Sequence, residues 1–186
     1  DQFIATIEPN TKYYVIFETL FWTGMRIGEL LALTKNDIDF VNNKIKISKT
    51  YYRSKGEDII TPPKTEQSNR IVDIPNFLKT EIEDWCNSLY GLPDNARIFQ
   101  IVAKAVENKL KRNIVKAKVK EIRVHDFRHS HASYLINQGV EALIIKERLG
   151  HTDIRITLNT YGHLYPNQQK KVADMLDLNR SNKKES

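Results

Sequence analysis

Apolar residues in the first part of the chain recur at helical spacing. In "TKYYVIFETLFWTG", Ile16 and Phe17 are followed one turn later by Leu20 and Phe21, and Gly24 is a typical helix C-cap. This pattern predicts a helix that ends before Gly24. The stretch "MRIGELLALT", which follows it, predicts a second and shorter helix.

The pattern then becomes extended. "IKISKTYY" alternates in part between apolar and polar residues and follows Asn42-Asn43, a dipeptide typical of turns. "DIITPP" and "RIVDIP" predict two more strands, and the polar stretch "KTEQSN" between them predicts a hairpin loop. Together these segments predict a small three-stranded antiparallel sheet.

Helical spacing returns at residue 76. An apolar stripe predicts a helix closed by Gly91, and its members are Leu78, Ile82, Trp85 and Leu89. Further helices are predicted over 102–118, 125–138 and 141–149, and over "TDIRITLNTY" with Thr152 as its N-cap. A last helix is predicted over "NQQKKVADMLDL" after Pro166, and its apolar stripe consists of Val172, Met175 and Leu176. The predicted fold class is therefore α+β, mainly helical with one small sheet.

Length and composition are those of an ordinary globular protein. The chain has 186 residues, enough for one domain with a sizeable core, and 40% of them are apolar and 28% charged. No signal-peptide pattern and no run of roughly 20 apolar residues occurs. Cys86 is the single cysteine, so no intramolecular disulfide is possible. We expect a cytoplasmic protein with one domain over residues 1–178 and a disordered tail over 179–186.

The charge balance is positive and locally concentrated. The formal net charge is +6, which is compatible with a nucleic-acid partner without requiring one. Between Lys104 and Arg123 there are eight basic residues against two glutamates. This run is interpreted either as a solvated helix face or as a surface that contacts phosphates.

The stretch "HDFRHSHASYLI" has two chemical interpretations. His125 and His129 stand four apart, the helical spacing of a metal-binding pair, whereas His125 and Arg128 stand three apart, as in a phosphate-binding pair. The zinc-peptidase pattern H-E-x-x-H is broken, because Asp126 follows His125 and an arginine precedes His129. Phosphate is the favoured interpretation, and His129, His131 and His163 are then structural or surface residues.

Other candidate residues lie far from this stretch. Arg26 opens a predicted helix, where it either binds an anion or forms an ion pair with Glu29 on the next turn. Downstream, His151 follows a helix cap and Tyr161 lies ten residues later. A tyrosine is usually a packing residue, but one near several cations is also a candidate nucleophile.

These residues occur in segments that resemble a known family. "TGMRIGELLALTKNDIDF", "HDFRHSHASYLINQGV" and "LGHTDIRITLNTYGHL" resemble, in order and separation, the three signature boxes of the tyrosine recombinases, the phage integrase family. "PPKTEQSNRIVDIP" resembles the lysine-bearing β-hairpin of that family. The resemblance extends from about residue 10 to about residue 170.

The resemblance implies a mechanism without metal, ATP or other cofactor. A tyrosine attacks a DNA phosphodiester, forms a 3′-phosphotyrosyl link and releases a 5′-hydroxyl, and the reverse reaction rejoins the DNA. By this match Tyr161 is the nucleophile, Arg26 and Arg128 hold the phosphate, and Lys64 is the general acid. His125 takes the tyrosine proton or holds the phosphate, and His151 forms a hydrogen bond to a phosphate oxygen. Glu29 supports these residues by orienting Arg26 or a histidine. Tyr165 and Lys55 are the weaker rivals for nucleophile and acid.

The resemblance also implies partners. They are double-stranded DNA, other protomers in a tetrameric synapse, and accessory DNA-bending proteins, in the integration and excision of a phage or mobile element. The N-terminal DNA-clamping domain of the family is absent from this chain, which is interpreted as a catalytic domain. The alternatives are a type IB topoisomerase, a non-catalytic DNA-binding module and a metal-dependent hydrolase.

Overall fold

The first long helix, α1 (Lys12–Thr23), lies at the centre of the main core. The computed structural model describes residues 2–63, 65, 68–165 and 173–176. Within them, α1 contacts both α3 (Asn76–Ser88) and α5 (Asp126–Asn137). Its Phe17 is 1% exposed and stacks on Phe127 of α5, with ring centroids 5.4 Å apart. The predicted helical pattern is thus confirmed, and it buries residues on more than one face of α1.

Two glycines allow close packing at the end of α1 and in the next helix, α2 (Ile27–Leu31). Gly24 caps α1 at φ +65°, a left-handed conformation that glycine adopts without strain. A Cβ on Gly28 would lie 2.9 Å from the carbonyl oxygen of Tyr51, so this position admits no side chain. Arg26 therefore emerges at the start of α2 next to the β-structure.

The β-structure consists of two antiparallel units. Strands β1 (Ile38–Asp39), β2 (Lys44–Ile47) and β5 (Arg70–Asp73) form a three-stranded sheet in the order β1-β2-β5. Strands β3 (Thr50–Ser54) and β4 (Glu57–Thr61) pair as a separate hairpin. The core side of the sheet is formed by Ile45, which is opposite Ile38 and Val72.

The strand assignments from the sequence were wrong in two respects. "IKISKTYY" is not one strand, since Ser48 and Lys49 separate β2 from β3, and the two belong to different units. "DIITPP" and "RIVDIP" do not form a hairpin with each other, because β4 pairs with β3 and β5 pairs with β2. β-Propensity is similar across these residues, so it does not select the partners. In the folded chain β3 packs against α2, whereas β5 packs against α6.

Helices α4 (Ala103–Ala117), α6 (Ala142–Leu149) and α7 (Ile154–Tyr161) complete the described fold. A second, smaller core joins α5, α6 and α7 through Ala132, Ile136, Ile145, Leu149 and Tyr161. The predicted cap of α7 was wrong by one residue. Asp153, not Thr152, is the N-cap, because its carboxylate accepts the Arg155 N–H at 2.8 Å.

The predicted C-terminal helix falls largely outside the described residues, as does Val172 from its stripe. Residues 173–176 are helical, and Met175 and Leu176 are exposed. The division at residue 178 into domain and tail stays a prediction. Among the described helices, none has the length and apolar content needed to cross a membrane.

Candidate active site

A cleft of about 550 Å³ lies where α2, the β3–β5 region and the start of α5 meet the loop before α7. Its lining contains two arginines, two histidines and, among the described residues, one carboxylate, together with small polar side chains. The lining residues are Arg26, Glu29, Thr50, Pro63, Thr65, Ser68, His125, Arg128, Gly150, His151, Thr152 and Ile156. An excess of cations in a concave site favours an anionic ligand.

Arg26 is oriented by Glu29, which is itself fixed by Arg70. The Glu29 carboxylate accepts from the Arg26 guanidinium at 2.8 Å and from its backbone N–H at 2.8 Å. Arg70 donates to the same carboxylate at 3.1 and 2.9 Å. Burial alone would raise the pKa of Glu29, but the bonds and charges of Arg70 and Arg26 hold that pKa below its ordinary value. Glu29 is therefore an anion that holds two guanidinium groups.

Arg128 is held by main-chain carbonyls instead of a carboxylate. Its side chain is buried, with Nη1 donating to Gly24 O at 2.8 Å and Nη2 donating to Leu149 O at 2.7 Å. Burial and the charges of Arg26 and Arg70 lower its pKa to about 9. A guanidinium has five N–H donors, so Arg128 keeps donors for a ligand in the cleft.

Both cleft histidines lie in an environment that disfavours their charged form. Burial, followed by the charges of Arg128, Arg26 and Arg70, lowers the pKa of His151 to about 4, and its Nδ1 lies 2.8 Å from Thr157 Oγ1. The pKa of His125, the N-cap residue of α5, is also lowered. The causes are loss of solvation, followed by the electrostatic effects of His129, Arg128 and Arg26. Both shifts favour the neutral imidazole, which has one donor nitrogen and one acceptor nitrogen.

Tyr161 lies beside the cleft, not in its lining. It is the last residue of α7, is 4% exposed and packs in the smaller core. Its hydroxyl is 2.7 Å from Nδ1 of His129. Burial raises the pKa of Tyr161, and the nearby charge of Arg128 acts in the opposite direction. The hydroxyl is therefore protonated and within the electrostatic reach of a cleft arginine.

The structure thus brings five of the predicted residues to one cleft and places a sixth next to it. The five are Arg26, Glu29, His125, Arg128 and His151. Lys64 lies outside the described residues, although Pro63 and Thr65 on either side of it line the cleft. The rivals Lys55 and Tyr165 are not in the lining; Lys55 is in the exposed β3–β4 turn and Tyr165 packs against the smaller core.

The sequence interpretation included neither Arg70 nor the contact of His129 with Tyr161. Arg70 has no motif of its own, and its partner Glu29 is 41 residues away in sequence. His129 was interpreted as structural or surface, whereas its ring contacts the Tyr161 hydroxyl. The helical spacing of His125 and His129 indicates that the two rings lie close together, which is compatible with a shared site as well as with a metal. His131 is indeed a buried structural residue, accepting from Arg148 Nε at 3.0 Å.

The metal alternative has little geometric support. The rings of His125 and His129 do lie close, with centroids 5.0 Å apart. In the part of the chain that the structure describes, no group of three or more His, Cys, Asp or Glu side chains is arranged to hold a metal ion. Arg128, which also lines this cleft, would repel a dication.

Comparison with known proteins gives a family match over most of the chain. The profile described as "Phage integrase family" matches residues 1–168. The ICEBs1 integrase of Bacillus subtilis (strain 168) is 37% identical over 190 aligned residues, covering 95% of this chain and 52% of that protein. The tyrosine recombinase XerC of Staphylococcus aureus (strain NCTC 8325 / PS 47) is 30% identical, covering 88% and 52%. The chain spans about half the length of these curated relatives.

Solved structures show the same fold. The Tn1549 transposon integrase in complex with transposon right end DNA superposes with a TM-score of 0.77 at 24% identity, over 95% of this chain and 63% of that one. The catalytic domain of bacteriophage HP1 integrase gives 0.63 at 20% identity, over 93% and 88%. The mainly helical architecture with small antiparallel sheets is therefore shared with these proteins.

Proposed function

Because this chain belongs to the phage integrase family, we propose that it is the catalytic part of a site-specific DNA recombinase. Tyr161 attacks a DNA phosphodiester and forms a 3′-phosphotyrosyl link, which a 5′-hydroxyl of another strand later resolves. The observation that carries this proposal is the cleft that contains Arg26, Arg128, His125 and His151 beside the Tyr161 hydroxyl. The proposed reaction begins with a phosphate entering that cleft.

Phosphate binding follows from the donors that remain free. Arg26 is 42% exposed and Arg128 uses two N–H groups on main-chain carbonyls, so both guanidinium groups have donors left for nonbridging oxygens. His151, oriented by Thr157 and neutral, offers Nε2 as a further donor. These groups are fixed before the negative charge of the pentacoordinate transition state develops, which is the condition for strong electrostatic catalysis.

The leaving 5′-oxygen needs a proton, and Lys64 is the residue we propose for this role. An alkoxide is a poor leaving group, so a positioned general acid contributes roughly 10²- to 10⁴-fold to such a step. Its neighbours in sequence, Pro63 and Thr65, line the cleft, and this observation supports the proposed role. Since one phosphodiester is exchanged for another ester, the reaction as proposed needs no ATP. It also needs no metal ion, because in the proposal the arginines stabilise the developing negative charge and Lys64 protonates the leaving oxygen.

The relatives indicate the biological setting of the proposal. Proteins named as integrases of a Bacillus element and of the transposon Tn1549 are among them, and the latter is seen with DNA. We propose that this protein acts on double-stranded DNA in the bacterial cytoplasm, in the integration or excision of a mobile element. Assembly with other protomers in a tetrameric synapse, helped by DNA-bending proteins, is part of the same proposal.

A covalent-adduct assay tests the reaction. The protein in its full natural length is incubated in EDTA with nicked suicide duplexes made from the ends of the element that encodes it. Wild type is expected to form a protein–DNA adduct, Tyr161→Phe none, and Arg26→Ala an amount about 10²- to 10³-fold lower at unchanged folding. Tyr165→Phe is the matched control and is expected to cleave normally.

Three outcomes would contradict the proposal. An adduct that persists in Tyr161→Phe places the nucleophile elsewhere. Cleavage that appears only when a divalent metal is added shows a different mechanism. Relaxation of supercoiled DNA without joining of two duplexes shows a topoisomerase.

A further inference from the structure

The hydroxyl of Tyr161 has one hydrogen-bond partner among the described residues, and it is an imidazole. The distance from the hydroxyl oxygen to Nδ1 of His129 is 2.7 Å, and the two rings are inclined at 57° with centroids 5.7 Å apart. His129 follows Arg128 on α5 and is partly buried, while Tyr161 ends α7. The contact therefore links the helix that holds the phosphate-binding arginine to the helix that carries the nucleophile.

A phenol must lose its proton to attack phosphorus, and a base has to be within hydrogen-bond distance to take it. His129 satisfies this condition. His125, the candidate favoured by the sequence, makes no hydrogen bond to Tyr161 and contacts His129 edge-on, at 5.0 Å between ring centroids. His125 lines the cleft in which we propose that the phosphate binds. The two histidines thus occupy positions suited to two different roles.

We infer that His129 is a catalytic residue, the proton acceptor for Tyr161, and that His125 contacts the phosphate instead. This inference rests on the proposed function. As the tyrosine oxygen forms its bond to phosphorus, its proton passes to Nδ1 of His129. The bond from phosphorus to the 5′-oxygen breaks, and that oxygen takes a proton from the general acid, for which Lys64 is proposed. In the rejoining step His129 returns its proton to the tyrosine.

Several titratable or charged groups surround His129. The titratable or charged groups that act on His129 are His125, Asp126 and Arg128 of α5 and its N-cap, His151 before α7, and Tyr161. Among them Arg128 is a cation and Asp126 a carboxylate, so the fixed charges next to His129 are of both signs. A bound phosphodiester adds a negative charge to the cleft and favours the imidazolium.

The test separates the attacking group from the leaving group. Single-turnover cleavage by the full-length protein is measured from pH 6.5 to about 9.5 at saturating DNA, with a substrate whose scissile 5′-oxygen is replaced by sulfur. A thiolate leaves without protonation, so the general acid is not needed and the pH profile reports the nucleophile. The variants are His129→Ala, His129→Asn and His125→Ala, with His163→Asn on an exposed turn as the matched control.

His129→Ala is expected to cleave about 10²- to 10³-fold more slowly than wild type at pH 7. Its deficit should shrink about tenfold per pH unit, because hydroxide removes the tyrosine proton when the imidazole is missing. Asparagine has a hydrogen-bonding atom near the position of Nδ1 but cannot take the proton, so His129→Asn should stay as slow as His129→Ala at pH 7. His125→Ala should be slow at every pH, and His163→Asn should match wild type.

Several results would overturn the inference. The first is a pH profile of His129→Ala that runs parallel to that of wild type. The second is full activity in His129→Asn, which would make His129 a positioning residue. The third is alkaline rescue of His125→Ala in place of His129→Ala. Circular dichroism and DNA affinity establish that each variant folds and binds. If wild type forms no adduct, or Tyr161→Phe forms one, the proposed function fails first and the inference fails with it.

Discussion

Arg70 connects the two sides of the candidate active site. Its Nη atoms donate to both oxygens of Glu29, which holds Arg26, and its Nε donates to the carbonyl of Arg148 at 2.8 Å. The next residue after Arg148, Leu149, supplies one of the carbonyls that bind Arg128. One buried guanidinium thus fixes the separation of the two arginines for which we propose a phosphate-binding role.

Replacement of Arg70 should lower the free energy of unfolding, and the size of the loss should depend on whether Glu29 is present. The ion pair is buried, with 6% and 4% of the side chains exposed, so Arg70→Met leaves a buried carboxylate with fewer donors. We expect a loss of about 3–5 kcal/mol in the free energy of unfolding, most of it recovered in the double variant with Glu29→Gln. Urea unfolding of the single and double variants measures this difference.

Arg53→Met, which removes an exposed partner of Asp58, is the control and should cost less than about 1 kcal/mol. A double variant as unstable as Arg70→Met alone would show that the arginine packs rather than pairs. Arg70→Lys is expected to fold but to cleave DNA more slowly, because an ammonium cannot reproduce the planar, forked set of donors.

At the residue scale, sequence reasoning succeeded where a residue type and a spacing are needed together. Arg26, His125, Arg128 and His151 are brought to one cleft because their motifs lie at fixed points of helix ends. It did not reach the Arg70–Glu29 ion pair or the contact of His129 with Tyr161, since both depend on partners that only the packing of separate elements brings close. The assignment of catalytic roles stays a prediction until the variants are measured.

At the element scale, helices α1 and α3 meet at a pair of carboxylates remote from the cleft. Burial, then the charge of Glu18, raises the pKa of Glu81 to about 7, while a weak bond from Tyr14 acts against the shift. One oxygen of Glu81 is buried without a hydrogen-bond partner. The pKa of Glu18 is also raised, chiefly by burial. The two side chains are best accommodated when Glu81 carries a proton.

This pair predicts that the fold loses stability as pH rises. The folded-state pKa of Glu81 is about 7 against an ordinary value of 4.5, so its unfavourable contribution begins near pH 4.5 and is complete above pH 7. Glu81→Gln should raise the free energy of unfolding at pH 8 by about 1–3 kcal/mol and change it little at pH 4.5. Thermal unfolding at both pH values measures the effect.

Glu83→Gln provides the comparison on the same helix, because Glu83 is solvent-facing and pairs with Lys79. It should give similar small changes at both pH values. Equal stability of wild type and Glu81→Gln at pH 8 would contradict the buried-carboxylate explanation.

At the element scale, local sequence is sufficient to predict the helices but not the pairing of the strands. Glycine caps and apolar stripes predicted α1, α5 and α6 within a residue or two, because these signals act inside one helix. The sheet was mispredicted because antiparallel pairing joins residues far apart in sequence. β2 pairs with β5 across the intervening β3–β4 hairpin, and β-propensity within a single strand does not specify its partner.

At the scale of the whole molecule, the net charge of +6 is distributed unevenly. Helix α4 buries Val106, Leu110 and Ile114, and its opposite face presents basic side chains to solvent. An open depression of about 400 Å³ on this face is lined by Asn108, Lys111 and Arg112. Both interpretations of the basic run, solvated face or phosphate contact, accommodate this amphipathic helix, and a measurement of salt dependence separates them.

Phosphate contact predicts a change in the slope of affinity against salt. Each neutralised phosphate contributes about −0.9 to the slope of log K against log salt for duplex DNA, so removing three contacts should make the slope shallower by roughly 2–3. Affinity for a non-specific duplex is measured between 50 and 200 mM NaCl by fluorescence anisotropy. The variant carries glutamine at the exposed positions Lys111, Arg112 and Lys116, and the control carries glutamine at Lys12, Lys46 and Lys79.

The control removes the same charge from α1, β2 and α3, so it isolates position from net charge. The α4 variant should bind more weakly at 50 mM NaCl and with a shallower slope than the control, because a local contact is lost in addition to the long-range attraction. Equal slopes for the two variants would mean that the basic face of α4 is only a solvated surface. In that case the positive charge would attract DNA to the molecule without placing α4 against it.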